Sequence, residues 1–131
     1  MDQTVLGPGV YVFQTRTLAA TCGDDERTGY VSSFVASIDG VPGSREMTMH
    51  LHDARYWSTW DLTVAASGSV HGSSLMDGTS GPNRPNNVFD VTRDASGRFT
   101  GHGARGYEGA IGGHAQHCEV TYDALMRRID L

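Results

Sequence analysis

Short runs of alternating apolar and polar residues, with almost no helical periodicity, constrain the fold of this chain most. The runs are rich in Val, Thr, Phe, Tyr and Trp, and clusters of Gly, Asp and Ser separate them. They predict strands at residues 9–16, 29–38, 45–53, 58–66, 69–76, 87–93, 98–105 and 117–129. Because 131 residues is the length of one ordinary domain, we expect residues 1–131 to form a single all-β domain.

Two of the predicted turns repeat one another. Residues 66–69 read Ala-Ser-Gly-Ser and residues 95–98 read Ala-Ser-Gly-Arg, each between two predicted strands. Glycine at the third position suits a tight hairpin. The repeat predicts a meander, in which strands that follow one another in sequence also pair in space.

Alternation within the strands assigns their two faces. In the third strand Met47, Met49 and Leu51 share one side, whereas His50 and His52 share the other. The other strands divide in the same way, which is typical of an antiparallel sheet with one face in water. The inward set predicted by this alternation includes large apolar and aromatic residues: Phe34, Met47, Met49, Trp60 and Tyr122.

The strands must close into a barrel or fold into a sandwich, because open sheet edges invite aggregation. The two cysteines favour the barrel. Cys22 follows the first strand and Cys118 begins the last, and these points meet only if the first and last strands pair. We therefore predict an antiparallel up-and-down barrel of about eight strands with a Cys22–Cys118 disulfide. A β-sandwich is the alternative.

Three connections should lie together at one end of such a barrel. Residues 77–87 form a long polar segment with two prolines, residues 106–116 are rich in glycine, and residues 53–58 join strands three and four. Long connections more often carry function than short ones, so this end is the predicted mouth. With the aromatic run at 56–60, it gives a candidate ligand-binding set: Phe34, Met47, Met49, Tyr56, Trp57, Trp60, Arg84 and Tyr122.

Composition excludes several function classes. The chain has no lysine, and all ten of its cationic side chains are arginines. Schiff-base chemistry, pyridoxal phosphate anchoring and a P-loop are thereby excluded. A net charge of -5 argues against nucleic acid or an anionic membrane as the main partner. No apolar run approaches the roughly 20 residues of a membrane helix.

The sequence leaves the compartment open. The N-terminus lacks the basic and apolar regions of a signal peptide. We expect a cytoplasmic protein if the chain is complete. If a signal peptide was removed, we expect a secreted or periplasmic one.

The histidines and aspartates do not define a catalytic or metal site. His50 and His52 point to the same side, as two metal ligands would, but that side lies opposite the apolar face of their strand. We therefore expect no metal and no cofactor. Asp53, Asp61, Asp77 and Asp90 are candidate acid–base partners of a histidine, yet nothing in the spacing selects a pair. Catalytic residues stay unassigned.

The strand number, turn spacing and cysteine placement resemble those of the calycins, the lipocalin-like and avidin-like barrels. They also resemble small cofactor-free barrel cyclases. The lipocalin Gly-x-Trp of the first strand is replaced here by Gly9-Val10-Tyr11, so the resemblance supplies no site residue.

The resemblance implies a protein that holds a small apolar or amphipathic molecule inside its barrel. A cofactor-free isomerase, cyclase or lyase is the alternative, so enzyme activity is left open. A secreted protein that interacts with or inhibits a partner through its loops is a third interpretation, and a homodimer is compatible with each.

Overall fold

Eight antiparallel strands build the computed structural model of this protein, which describes residues 6–22, 27–82, 84–111 and 114–130. The strands are β1 (Gly9–Ala20), β2 (Val31–Asp39), β3 (Glu46–Leu51), β4 (Thr59–Val64), β5 (Val70–Leu75), β6 (Asn86–Arg93), β7 (Phe99–Ile111) and β8 (His114–Arg128). Each strand pairs with the next in sequence, and β1 also pairs with β8. The predicted up-and-down barrel is therefore confirmed over a sandwich. No helix in the described ranges is long and apolar enough to cross a membrane.

The β1–β8 seam closes the barrel. Its register runs from Tyr11 opposite Arg128 to Ala20 opposite Val120, with a one-residue shift between Thr17 and Ala19. Just beyond the paired residues Cys22 and Cys118 form the predicted disulfide, with their Cα atoms 5.5 Å apart. A bond at this point joins the first strand to the last.

One end of the barrel, which we call the closed end, carries the connections at 40–45, 65–69 and 94–98. The two turns predicted to be alike have the same hydrogen bonds. In one, the N–H of Ala65 donates to Ser69 O at 2.8 Å. In the other, the N–H of Asp94 donates to Arg98 O at 2.7 Å. Gly68 and Gly97 hold the equivalent position with φ of 91° and 88°, a conformation that favours glycine.

The barrel interior is filled at its centre and toward the closed end. Phe13, Trp60 and Phe89 pack with ring centroids 5.1 to 5.8 Å apart. Leu6 lies before β1, is fully buried and joins this core, because the segment before β1 folds over the closed end. The Tyr11 hydroxyl donates to Gly7 O at 2.7 Å and fastens that segment.

Two inward glycines make room for aromatic rings. Gly72 lies opposite Phe89 and Gly103 lies opposite Tyr122 in the strand register. A Cβ atom at either glycine would collide with the opposing ring. The rings therefore lie over the bare backbone of the neighbouring strand, an arrangement known to stabilise glycines in sheets.

One predicted loop is wrong. The glycine-rich segment 106–116 is not a connection, because β7 continues to Ile111 and β8 begins at His114, with pairing up to Ile111 opposite His114. Glycine keeps its backbone N–H and C=O, so a long paired ladder continues through it even where side-chain packing is lost. The connection predicted at 77–87 spans residues 76–85 between β5 and β6, because β6 already begins at Asn86; residue 83 lies outside the described residues.

Candidate functional site

The other end of the barrel, which we call the mouth, is formed where β1, β3, β5 and β7 end. Its connections at 52–58 and 76–85 are bound to each other. The N–H of Asp77 donates to Tyr56 O at 2.6 Å, and the N–H of Ser58 donates to the Asp77 carboxylate at 3.1 Å. The N–H of Leu51 also donates to Ser58 O at 2.8 Å. These contacts hold the segment that carries Tyr56 and Trp57 in place over the barrel.

A cavity of about 120 Å³ opens into the barrel beneath this segment. Its walls come from β1, β2, β3, β4, β6 and β7 and from the 52–58 connection. The lining residues are Phe13, Thr15, Ser32, Phe34, Leu51, Ala54, Arg55, Tyr56, Trp57, Trp60, Asn87 and Arg105. A second recess of about 340 Å³ lies outside the first, against Tyr56, Trp57, Met76, Tyr107 and Glu108. Tyr56 and Trp57 are common to both.

Polar side chains reach the inner cavity from two cross-strand pairs. Arg105 on β7 lies opposite Asn87 on β6, and Thr15 on β1 lies opposite Ser32 on β2. Asn87 is buried, and its side-chain oxygen accepts a hydrogen bond from the Tyr122 hydroxyl. The cavity thus has aromatic walls and several hydrogen-bonding groups at fixed positions.

Burial raises the pKa of the Tyr122 hydroxyl far above its ordinary value, and the nearby Arg105 guanidinium opposes that shift. The hydroxyl therefore stays protonated at neutral pH and remains a donor toward Asn87. Through this contact Tyr122 positions Asn87 without lining the cavity itself.

The charged side chains that line the inner cavity are Arg55 and Arg105, both cations. Among the described residues, no carboxylate and no imidazole lines it. This is notable in a protein whose net charge is -5.

The indole N–H of Trp57 is a buried donor for which the described part of the chain offers no acceptor. Trp57 retains only 9% of its accessible surface. The other tryptophan differs, because the Trp60 N–H donates to Trp57 O at 2.9 Å. Leaving a buried donor unpaired is costly, so such a group calls for an explanation.

The structure brings together four of the eight predicted ligand-binding residues: Phe34, Tyr56, Trp57 and Trp60 line the inner cavity. Met47 and Met49 are buried in the core, opposite Leu62 and Trp60, and do not line it.

Arg84 is also absent from the lining of the inner cavity, and its hydrogen bonds are made within the 76–85 connection. Its guanidinium donates to Thr79 Oγ1 at 3.0 Å and to Met76 O at 3.1 Å. Its role in this structure is therefore to hold the 76–85 connection together.

Sequence reasoning missed eight lining residues: Phe13, Thr15, Ser32, Leu51, Ala54, Arg55, Asn87 and Arg105. A signal for Arg105 was present, because even spacing from Phe99 gives it inward parity.

The histidines and aspartates lie mainly on the outer wall. His50 and His52 are exposed there, and the His52 ring lies 2.8 Å from Ser37 Oγ. Within the described ranges, no three His, Cys, Asp or Glu side chains come close enough to hold a metal ion. Asp77, one of the candidate acid–base partners, instead ties the mouth connections together.

A row of alternating basic and acidic side chains crosses the outer wall. Its members are adjacent in the register of β5, β6, β7, β8 and β1: His71, Asp90, His102, Asp123 and Arg16. The His71–Asp90 pair is 2.8 Å apart, and Asp123 is 3.0 Å from His102 and 2.7 Å from Arg16. The Arg16 hydrogen bond, aided by His102, lowers the pKa of Asp123. An open depression covers part of this row. These exposed pairs satisfy one another across strands, so we assign the row to the barrel wall.

Comparisons with protein families, with curated proteins and with solved structures find no match for this chain.

Proposed function

We propose that this protein binds a small amphipathic molecule in the inner cavity at the mouth of its barrel. The observation that carries the proposal is the lining of that cavity, which combines Phe13, Phe34 and Trp60 with inward polar side chains. An eight-stranded barrel has room either for packed side chains or for one small ligand, as in lipocalin-like and avidin-like proteins. Here side chains fill the centre and the closed end of the interior, and the mouth is open. Membership of a calycin-like class is part of the proposal.

The size of the cavity limits the ligand. An apolar cavity of about 150 Å³ is known to take up benzene, and common ligand pockets measure roughly 300–1,000 Å³. At about 120 Å³ the inner cavity suits a single ring or a group of similar size, with any further part of the ligand at the opening. A larger guest would have to displace the segment with Tyr56 and Trp57, which separates the inner cavity from the outer recess.

A cofactor-free enzyme is the second candidate, and Arg105 and Asn87 favour it. Both side chains line the cavity and carry N–H groups of the kind that polarise a carbonyl group. Isomerisation and cyclisation usually also need a group that accepts a proton, and the described lining offers no carboxylate or imidazole for that task. Binding without turnover is therefore the first proposal.

The test uses four single-ring probes that differ in polarity: toluene, benzyl alcohol, benzoate and benzylamine. Binding is followed by tryptophan emission, since Trp57 and Trp60 both line the cavity, and by the melting temperature. We expect saturable binding of an amphipathic probe, recovered chemically unchanged. A probe that is recovered altered would favour the enzyme, and failure of all four to bind would overturn the proposal.

A matched pair of variants locates the binding. Ser32 faces the cavity, whereas its neighbour Ser33 is exposed on the outer wall and pairs with Gln14. Ser32→Leu should fill the cavity and abolish binding without unfolding the protein, and Ser33→Leu should leave binding unchanged. Equal binding by Ser32→Leu and the parent protein would place the probe elsewhere.

A further inference from the structure

We propose that the edge of β7 beyond the end of β6 binds an extended peptide of a partner protein, one in which a basic side chain lies between two apolar side chains. This surface is separate from the inner cavity, and the inference does not depend on the ligand proposed there. It rests on a strand edge that no described strand covers, on the recess beside that edge and on the charge of its outer face.

The last two strands extend farther than their neighbours. β6 pairs with β7 as far as Asn86 opposite Gly106, whereas β8 continues beside β7 up to Ile111. Pro85 comes before Asn86 and has no N–H to extend the β6–β7 ladder. Within the described ranges, β7 from Tyr107 onward therefore has a strand on one side only. An open strand edge of this kind is a template for a further strand.

The strand register identifies the backbone groups on that edge. The N–H of Asp94 donates to Arg98 O at 2.7 Å, so the C=O of Arg98 points toward the β6 side. The direction alternates along an antiparallel strand, and the register of β7 with both neighbours is uninterrupted. Glu108 and Ala110 therefore point their N–H and C=O groups to the β6 side, beyond the place where β6 begins. No described strand pairs with them there.

The outer recess lies beside this edge. Its volume is about 340 Å³, and Tyr107 and Glu108 line it together with Tyr56, Trp57 and Met76. Tyr107 has inward parity on β7 and packs against the core. A peptide strand paired with β7 would present alternate side chains to that face, where the recess suits apolar groups. Tyr56 is 56% exposed, so a bound peptide would cover aromatic surface that now faces water.

The outer face of the same edge is acidic. Glu108 lies opposite His117 in the register, and the His117 ring is 3.0 Å from the Glu108 carboxylate and 3.3 Å from that of Glu119. One imidazole carries at most one positive charge, so this group of three keeps a net negative charge in either state of His117. A basic peptide side chain opposite Glu108 would be attracted to it across the strands.

A second copy of the chain fits the edge less well than such a peptide. Antiparallel pairing of two β7 edges about Gly109 would place the two Glu108 side chains at diagonal positions on one face. Like charges at that spacing repel each other, and each copy also has a net charge of -5. A peptide with a basic residue at this place has the complementary charge.

The test uses the peptide Thr-Val-Arg-Phe-Thr with blocked ends, whose Val and Phe side chains would face the recess when its Arg lies opposite Glu108. Binding is followed by calorimetry and by amide hydrogen exchange. We expect the peptide to protect the N–H groups of Glu108 and Ala110 and to leave that of Tyr107, which points toward β8, unchanged. A peptide with Glu in place of Arg should bind about tenfold more weakly.

Variants of the protein and of the peptide test the backbone ladder. Ala110→Pro removes an N–H from the open edge and none from the β7–β8 ladder, and it should weaken binding about tenfold. Ala110→Val keeps that N–H and is the matched control. N-methylation of the peptide Arg removes the N–H that would pair with Glu108, and it should weaken binding equally without any change to the protein.

A second pair of variants tests the charge. Glu108→Gln should remove most of the difference between the Arg and Glu peptides. Glu46→Gln is the control, because Glu46 is exposed on β3 near the closed end and its loss changes the net charge equally. An equal effect of the two variants would show that net charge alone attracts the peptide, which would overturn the basic-residue part of the inference.

The remaining outcomes decide the rest. Failure of the peptide to bind would overturn the inference, and so would binding that N-methylation does not weaken. Protection of Glu108 and Ala110 in the protein alone, rising with protein concentration, would also overturn it, because a second copy would then occupy the edge. None of these results concerns the inner cavity, so the proposed function is tested separately.

Discussion

The two ends of the barrel use the same strands differently. On the inward face of β6, Val91 lies toward the closed end and Asn87 toward the mouth. On β7 the inward residues change from Phe99 to Arg105 in the same direction. The inward face of each of these strands therefore carries an apolar side chain near the closed end and gains a polar one, Asn87 or Arg105, toward the mouth.

The two ends also differ in their turns and in the segments that cover them. The closed end has two hairpin turns of one type and is covered by the buried Leu6. The mouth has longer connections that are bound to one another and a disulfide at its seam. Packing supplies stability at the closed end, whereas at the mouth the inward polar side chain of Asn87 is held by a hydrogen bond from the Tyr122 hydroxyl.

The largest effect on the free energy of unfolding is expected from removing the disulfide, a covalent bond that lies at the mouth. The bond closes a loop with a sequence separation of 96 residues. In the chain-entropy model, its loss lowers the free energy of unfolding by about 4–5 kcal/mol. We expect Cys22→Ser/Cys118→Ser to show this decrease in urea denaturation. Reductant should destabilise the parent protein by the same amount and leave the double variant unchanged. Coincident urea denaturation curves for the oxidised parent protein and the variant would show that the disulfide does not stabilise the mouth.

The next prediction compares one phenylalanine from each region. Phe89 is fully buried in the packed centre, whereas Phe34 is partly buried and lines the mouth cavity. Phe89→Ala should cost about 3–5 kcal/mol of unfolding free energy, as is usual for large-to-small core substitutions. Phe34→Ala should cost less than half as much, because part of its surface already faces open space. Equal losses in denaturant unfolding would contradict the division of the interior into packed and open parts.

A smaller effect is expected from adding a methyl group to β7. Gly103→Ala would drive a Cβ into the Tyr122 ring, so it should cost about 1–3 kcal/mol through overpacking and disturb the Tyr122–Asn87 contact. Gly106→Ala is the control on the same strand. Its Cβ would meet the exposed His117 ring at 3.2 Å, and that side chain can move away. Thermal unfolding that is equally impaired in both variants would show a general intolerance of β7 to side chains.

The architecture was predictable because the alternation of apolar and polar residues assigns each side chain to one face of its strand, and the barrel keeps that assignment. Met47, Met49 and Leu51 are buried while His50 is exposed, as their parity indicated. The positions of Cys22 and Cys118 favoured closure over a sandwich, since pairing of the first and last strands brings those residues together. Strand length was less predictable, and the extension of β7 to Ile111 was hidden by glycines, which have weak strand preference but pair normally when a neighbouring strand is present.

Only four of the eight predicted residues line the inner cavity, because alternation gives the face of a residue and not its depth in the barrel. Met49 and Phe34 are both inward, yet only Phe34 lies near enough to the mouth to line the cavity. Depth depends on the stagger between neighbouring strands, which a single sequence does not reveal. Arg105 was overlooked for a related reason, because inward positions were assigned to apolar residues.

The smallest predicted effect is a pH response that differs between the ends. Hydrogen bonds from His117 to Glu108 and Glu119, near the mouth, raise the pKa of His117 above its ordinary value. Its contribution to stability is therefore fully present below about pH 6.5 and is lost as the pH rises through the raised value. At the closed end, hydrogen bonds from the Ser96 side chain and from the N–H groups of Arg98 and Ser96 lower the pKa of Asp94. Its contribution is present above about pH 3.9 and is lost as the pH falls through the lowered value.

Amide hydrogen exchange separates these two responses. The N–H of Thr21, which donates to Glu119 O at 2.9 Å, reports on the mouth, and the N–H of Gly97, which donates to Asp94 O at 3.1 Å, reports on the closed end. His117→Gln should reduce the protection of Thr21 relative to the parent protein at about pH 6 but not at about pH 8. Asp94→Asn should reduce the protection of Gly97 at about pH 6 and progressively less as the pH falls below about 4. His117 is exposed and Asp94 is partly exposed, so added salt should shrink each difference. A His117 substitution that affects Gly97 as strongly as Thr21 would mean that the ends unfold as one unit, which would remove the physical basis for treating the mouth as a separable half of the barrel.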